Sequence, residues 1–95
     1  MFIVRETFTA KPGQASKLAK MFKEMSKDMP GPKGRILTDF VGPYNTVIME
    51  MEVKDLGEFD KMMKEYASKP EVGQKMAGYT DMYQSGRREI YRVVE

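Results

Sequence analysis

Apolar residues along the chain switch between two periods, and the switches set the order of elements. Phe2 to Phe8 alternate in size and polarity and include Ile3, Val4 and Thr7, which predicts a first strand. After Pro12-Gly13, with Pro suited to a first helical turn, Ala15, Leu18, Phe22, Met25 and Met29 recur at three- and four-residue intervals. That spacing predicts an amphipathic helix, stopped by Pro30-Gly31-Pro32 and Gly34. Arg35 to Val41 and Thr46 to Val53 are strand-like, and the turn formers Gly42-Pro43-Tyr44-Asn45 between them predict an antiparallel hairpin. Asp55, three residues before Glu58, caps a second helix with the stripe Leu56, Phe59, Met62, Met63 and Tyr66. Ser68-Lys69-Pro70-Glu71 breaks it and opens a shorter helical piece, with Val72, Met76, Tyr79 and Tyr83 on one side and Ser85-Gly86 as its end. Arg87 to Val94 alternates again and is the last strand.

The order β-α-β-β-α-β, with an added helical segment, predicts an α+β ferredoxin-like fold: a four-stranded antiparallel sheet with its helices on one face, in a single domain over residues 1–95. Strand three places Val47, Met49, Met51 and Val53 on one side, the set suited to the helices, and Thr46, Ile48, Glu50 and Glu52 on the other. Strands one and four are less cleanly divided. A sheet facing water alternates more strictly, so the mixed second face points to cover by a second copy of the chain.

Composition narrows the chemistry. The 95 residues contain no Cys, no His and no Trp. Thiolate nucleophiles, disulfides and thiolate or imidazole metal ligands are therefore excluded. Sixteen basic residues against fourteen acidic leave a net charge of +2, too small for a global field toward nucleic acid or an anionic membrane. The start, Met1-Phe2-Ile3-Val4-Arg5-Glu6, reaches charge after four apolar residues, and no apolar run approaches the roughly 20 residues of a membrane helix. A cytoplasmic location is the expectation. The ten Met fall mostly on apolar stripes and suit an adaptable core first, an adaptable pocket second.

The element order, Pro12-Gly13, the Gly42-Pro43-Tyr44-Asn45 hairpin and the closing Gly86-Arg87-Arg88-Glu89-Ile90-Tyr91-Arg92 strand together resemble the dimeric α+β barrel superfamily, in particular its NIPSNAP-like and antibiotic-biosynthesis-monooxygenase-like groups. The resemblance implies a homodimer with sheets face to face and a small-molecule cavity between sheet and helices. It implies no haem chemistry here, because the His and Trp of the haem-binding and haem-degrading members are missing, and no cofactor is expected. Cofactor-free monooxygenase members act on polycyclic phenols, which leaves such an activity on an aromatic substrate as the alternative to plain ligand binding.

Candidate site residues follow from the residue types. Tyr66, Tyr79 and Tyr83 are a helix-borne aromatic set with hydroxyl tips, suited to lining an apolar pocket that Tyr44 and Asn45 would gate. Core packing is the competing reading. Glu50 and Glu52 share a face at the spacing of a carboxylate pair for acid–base work or a hard cation, but ion pairing with Arg5, Arg88 or Arg92 accounts for them better, and no third carboxylate supports a metal. Arg5 and Glu50 accordingly join the ligand-binding candidates, and no catalytic residue is assigned. Arg88 and Arg92 share one side of their strand and Arg87 takes the other, so two guanidinium groups at most converge on an anion. RNA recognition shares this element order, yet Thr46 to Val53 lacks the stacking aromatics of that fold's third strand and carries two carboxylates.

Overall fold

The computed structural model describes residues 1–29 and 34–95. The elements are β1 (Phe2–Ala10), α1 (Ala15–Asp28), β2 (Arg35–Thr38), β3 (Thr46–Val53), α2 (Leu56–Ala67), α3 (Pro70–Lys75) and β4 (Tyr83–Arg92), with a 3-10 turn at Tyr79–Asp81 before β4. The strands form one antiparallel sheet in the order β2-β3-β1-β4, the ferredoxin-like arrangement that the element order predicts.

Local chemistry explains each boundary. Gln14 N–H donates to the Lys11 carbonyl at 2.9 Å across Pro12 and Gly13, and Gly13 has φ +80°, the signature of a type II turn. Pro12-Gly13 is thus the turn into α1, outside the first helical turn where the sequence reading put it. The helical stop assigned to Pro30-Gly31-Pro32 lies outside the described residues. The Asp55 carboxylate accepts from the Glu58 N–H at 2.9 Å and caps α2 as expected.

Strand boundaries also differ from expectation, and β4 stops at Arg92, short of Val94. β2 ends at Thr38, and Phe40 and Val41, expected at its end, project into solvent. Tyr83 starts β4 instead of closing a helix, and Ser85-Gly86 lies inside that strand. Gly86 pairs with Phe8, and a Cβ there would come within 2.9 Å of the Phe8 ring. Glycine is needed so that the ring can lie across β4, not as a chain terminator.

The helix-side face of β3, Val47, Met49, Met51 and Val53, is buried throughout. One core cluster joins Val47, Met49 and Ala10 to Leu18, Phe22 and Met25 of α1, to Tyr66 and to Val72. A second joins Val4, Met51 and Val53 to Phe59 of α2. Half-buried Met29 packs against both, and Met62, Met63, Met76 and Met82 border them, the gap-filling use of an unbranched side chain. Both clusters draw their sheet residues from β1 and β3. The helices therefore leave much of the β4 edge uncovered.

Candidate functional site

Register places Phe8 beside Gly86 and Glu6 beside Arg88 on the helix side of the sheet. Because α1 and α2 sit over β1 and β3, these residues border an open groove of about 330 Å³ lined by Glu6, Phe8, Tyr83, Gly86, Arg87 and Arg88. Its floor is aromatic. The Phe8 ring centre lies 4.9 Å from Tyr83 in an edge-on contact and 5.0 Å from Phe22, while Tyr79 backs Tyr83 at 5.7 Å. Burial pushes the Tyr79 hydroxyl pKa up, and nearby Tyr83 and Glu6 reinforce the shift, so the phenol stays a neutral hydrogen-bonding group.

One wall is polar. Arg88 Nε donates to the Glu6 carboxylate, and the Arg88 guanidinium also lies 5.8 Å from the centre of the Phe59 ring. The Glu6 side chain is 15% exposed and that of Arg88 is 50% exposed, so the carboxylate is fixed in the wall while the cation reaches the groove mouth. A charge in the middle of the apolar stripe Phe2, Val4, Glu6, Phe8 is the sequence signal for this pair. Its partner depends on the β1–β4 register, which spacing within one strand does not reveal.

The sequence candidates divide. Tyr83 lines the groove, and Tyr79 packs behind it without lining it. Tyr66 lies apart in the core, its hydroxyl donating to the Met25 carbonyl at 3.1 Å near the end of α1, and burial raises its pKa. Tyr44 is exposed on the hairpin and Asn45 holds the adjacent turn with φ +63°; neither lines the groove. Replacing Tyr66 with Phe is expected to cost about 0.5–1.5 kcal/mol in chemical denaturation, the ordinary value of one such bond, with no change in ligand affinity. A large loss of binding would return Tyr66 to the site.

Arg5 and Glu50 occupy the opposite sheet face. Glu50 is 7% exposed, accepting from Arg5 Nε at 2.9 Å and from Arg35 Nη2 at 2.7 Å. The Arg35 hydrogen bond, against the opposing effect of burial and with further help from Arg5, holds its carboxyl below the usual range. The ion-pair reading of Glu50 thus stands for Arg5, but its second partner is Arg35, and Arg88 pairs with Glu6 instead. Register explains this: Glu50 lies beside Arg5 on one side and Arg35 on the other. Glu52 is exposed, and among the described residues no three His, Cys, Asp or Glu side chains converge.

Ile3, Leu37, Ile48 and Tyr91 share this second face by strand alternation. Arg5 lies over the Tyr91 ring at 5.6 Å, and Glu89 accepts from both Tyr91 and Arg87. Apolar side chains and internally paired charges therefore alternate across it.

Comparison with solved structures places the architecture. A NIPSNAP-like domain protein from Burkholderia xenovorans superposes with a TM-score of 0.85 at 14% identity, over 98% of this chain and 84% of that one. A NIPSNAP family protein from Agrobacterium tumefaciens gives 0.85 at 15% identity, over 100% and 95%. The chain shares the ferredoxin-like α+β fold of these proteins. The same architecture extends to an antibiotic biosynthesis monooxygenase, at a TM-score of 0.72 and 13% identity over the full length of both chains. No protein-family model matches the sequence, and no curated protein matches it. At these identities the likeness is one of fold, and residue roles must be argued from the groove itself.

Proposed function

We propose that the chain is a homodimeric small-molecule-binding protein that holds a one- or two-ring aromatic ligand bearing a hydroxyl in the groove beside β4. The observation that carries this reading is the union of an aromatic floor, Phe8 and Tyr83, with a paired donor and acceptor, Arg88 and Glu6, in one open groove. A volume near 330 Å³ is at the small end for ligand pockets, which span about 300–1,000 Å³. A phenol suits the wall, since its hydroxyl can donate to Glu6 and accept from Arg88 without adding charge. An aromatic acid would compete with Glu6 for the same guanidinium. Homodimerisation is supported by the mixed second face, where Ile3, Leu37, Ile48 and Tyr91 would be covered by the same face of a twin.

Titration calorimetry with phenol, 1-naphthol and 1-naphthoate tests the site. The phenols are expected to bind, and Arg88→Met to weaken them about tenfold or more, the value of a hydrogen bond to a charged group. Arg35→Met, on the other face, should leave them unchanged. Failure of every phenol to bind, or full affinity in Arg88→Met, would overturn the assignment. The monooxygenase reading draws on the same aromatic floor and on the fold shared with a protein of that description. Oxygen consumption dependent on both protein and naphthol would favour it over binding alone.

A further inference from the structure

The hairpin between β2 and β3 carries three of the most exposed large hydrophobic side chains among the described residues. Phe40 is 99% exposed, Val41 90% and Tyr44 86%. The exposure is not that of a frayed loop, because the base of the hairpin is closed by its own bonds. Thr46 N–H donates to the Asp39 carboxylate at 2.9 Å, Asp39 N–H to the Thr46 carbonyl at 3.3 Å, and the Thr46 hydroxyl to the Pro43 carbonyl at 2.8 Å. Asn45 takes the left-handed turn position that Asn tolerates, and its carbonyl is tied to Ala10 N–H at 2.8 Å. Two aromatic rings and a valine are therefore presented to solvent on a braced arm.

We propose that this arm docks on a second copy of the chain, so that each protomer clasps the other with Phe40, Val41 and Tyr44. The inference rests on the homodimer reading and adds the element that holds the dimer together. Three observations favour a second copy as the occupant. Leu37, two residues before Asp39 on β2, lies beside Ile48 on the mixed sheet face, so apolar surface runs from that face toward the arm. Aromatic side chains bury about 150–250 Å² each, so Phe40 and Tyr44 from two arms supply about 600–1,000 Å² before the surface beneath them is counted. A stable interface needs about 1,200–2,000 Å² in total, and the arms thus bring a face of mixed polarity into that range. Finally, residues 40–45 carry no charge and Asp39 beside them is acidic, which suits an apolar protein surface and disfavours an anionic membrane.

Sedimentation of Phe40→Ser/Val41→Ser tests the arm. Both side chains are exposed in the single chain, so the variant should keep its circular dichroism while its dimer dissociation constant rises by a factor of about 100 or more. The chain has no Cys, so Val41→Cys offers one thiol for a benzophenone cross-linker. Light should then join unlabelled to isotope-labelled copies. A dimeric wild type whose double variant dimerises equally well would overturn the arm while leaving the dimer reading intact. A monomeric wild type, across dilution, would overturn both. Binding of the wild type to phosphatidylserine vesicles, lost in the double variant, would assign the arm to a lipid surface instead.

Discussion

Phe22→Ala is expected to leave the protein largely unfolded at 37 °C. Phe22 is 1% exposed, packs on Phe8 at 5.0 Å and lies 6.5 Å from Tyr79, so it joins α1 to the sheet and to the segment that leads into β4. Phe→Ala changes in cores cost about 3–5 kcal/mol, from lost transfer energy and the cavity left behind. Natural domains have about 5–15 kcal/mol in all, and a chain of this size lies toward the lower part of that range. Urea titration followed by circular dichroism measures the loss. Because Phe8 forms the groove floor, Phe22→Leu, which keeps most of the volume, should retain stability while loosening the floor. A loss below about 1 kcal/mol for Phe22→Ala would mean that the helix–sheet core is not where the structure puts it.

Glu50→Gln is expected to cost about 1.5–3 kcal/mol, the range for hydrogen bonds to a charged group, and to flatten the acid limb of the stability profile. Glutamine keeps the shape but leaves Arg5 and Arg35 side by side without a counter-ion. Both arginines reach solvent, which moderates the loss in a single chain. The pH dependence follows from the sign of the shift. The folded carboxyl titrates below its ordinary value, so its contribution is complete above the unfolded pKa, about 4.3, and is lost as pH falls through the lower folded value. Between pH 5 and pH 3 the wild type should therefore lose more stability than the variant, measured by urea midpoints at each pH. Parallel profiles would show that Glu50 has no special partners.

These results depend on features that the sequence exposes unevenly. β3 was readable because Val47, Met49, Met51 and Val53 alternate without interruption, and all four are buried on one face. The Asp55 cap was readable because its chemistry spans only three residues. The sequence places Tyr83 on a helix because it continues, at four-residue spacing, the series Met76 and Tyr79, which is also the spacing of a helix. The 3-10 turn at Tyr79–Asp81 intervenes and turns the chain into β4. Gly86 reads as a terminator in the sequence because its function, making room for Phe8, involves a residue 78 positions away.

The candidate site shows the same division between local and distant information. Tyr79 and Tyr83 were visible as an aromatic pair, whereas Glu6 and Arg88 become a pair only when β1 and β4 are placed in register. Arg35 likewise meets Glu50 only through the β2–β3 register. Tyr66 has the spacing of its stripe and the polar tip of a pocket residue, but that tip is satisfied by the Met25 carbonyl within the core. Residue type nominated the chemistry, and strand pairing decided which groups could share it.

The central claim is that the groove beside β4 is the ligand site, and amide NMR during titration with 1-naphthol tests it most directly. Saturable shifts are expected to concentrate at Glu6 to Phe8 and Tyr83 to Arg88, with Arg35, Ile48 and Glu50 little changed. Shifts concentrated on the Arg5–Glu50–Arg35 face instead, or none at any concentration of the phenol, would contradict it.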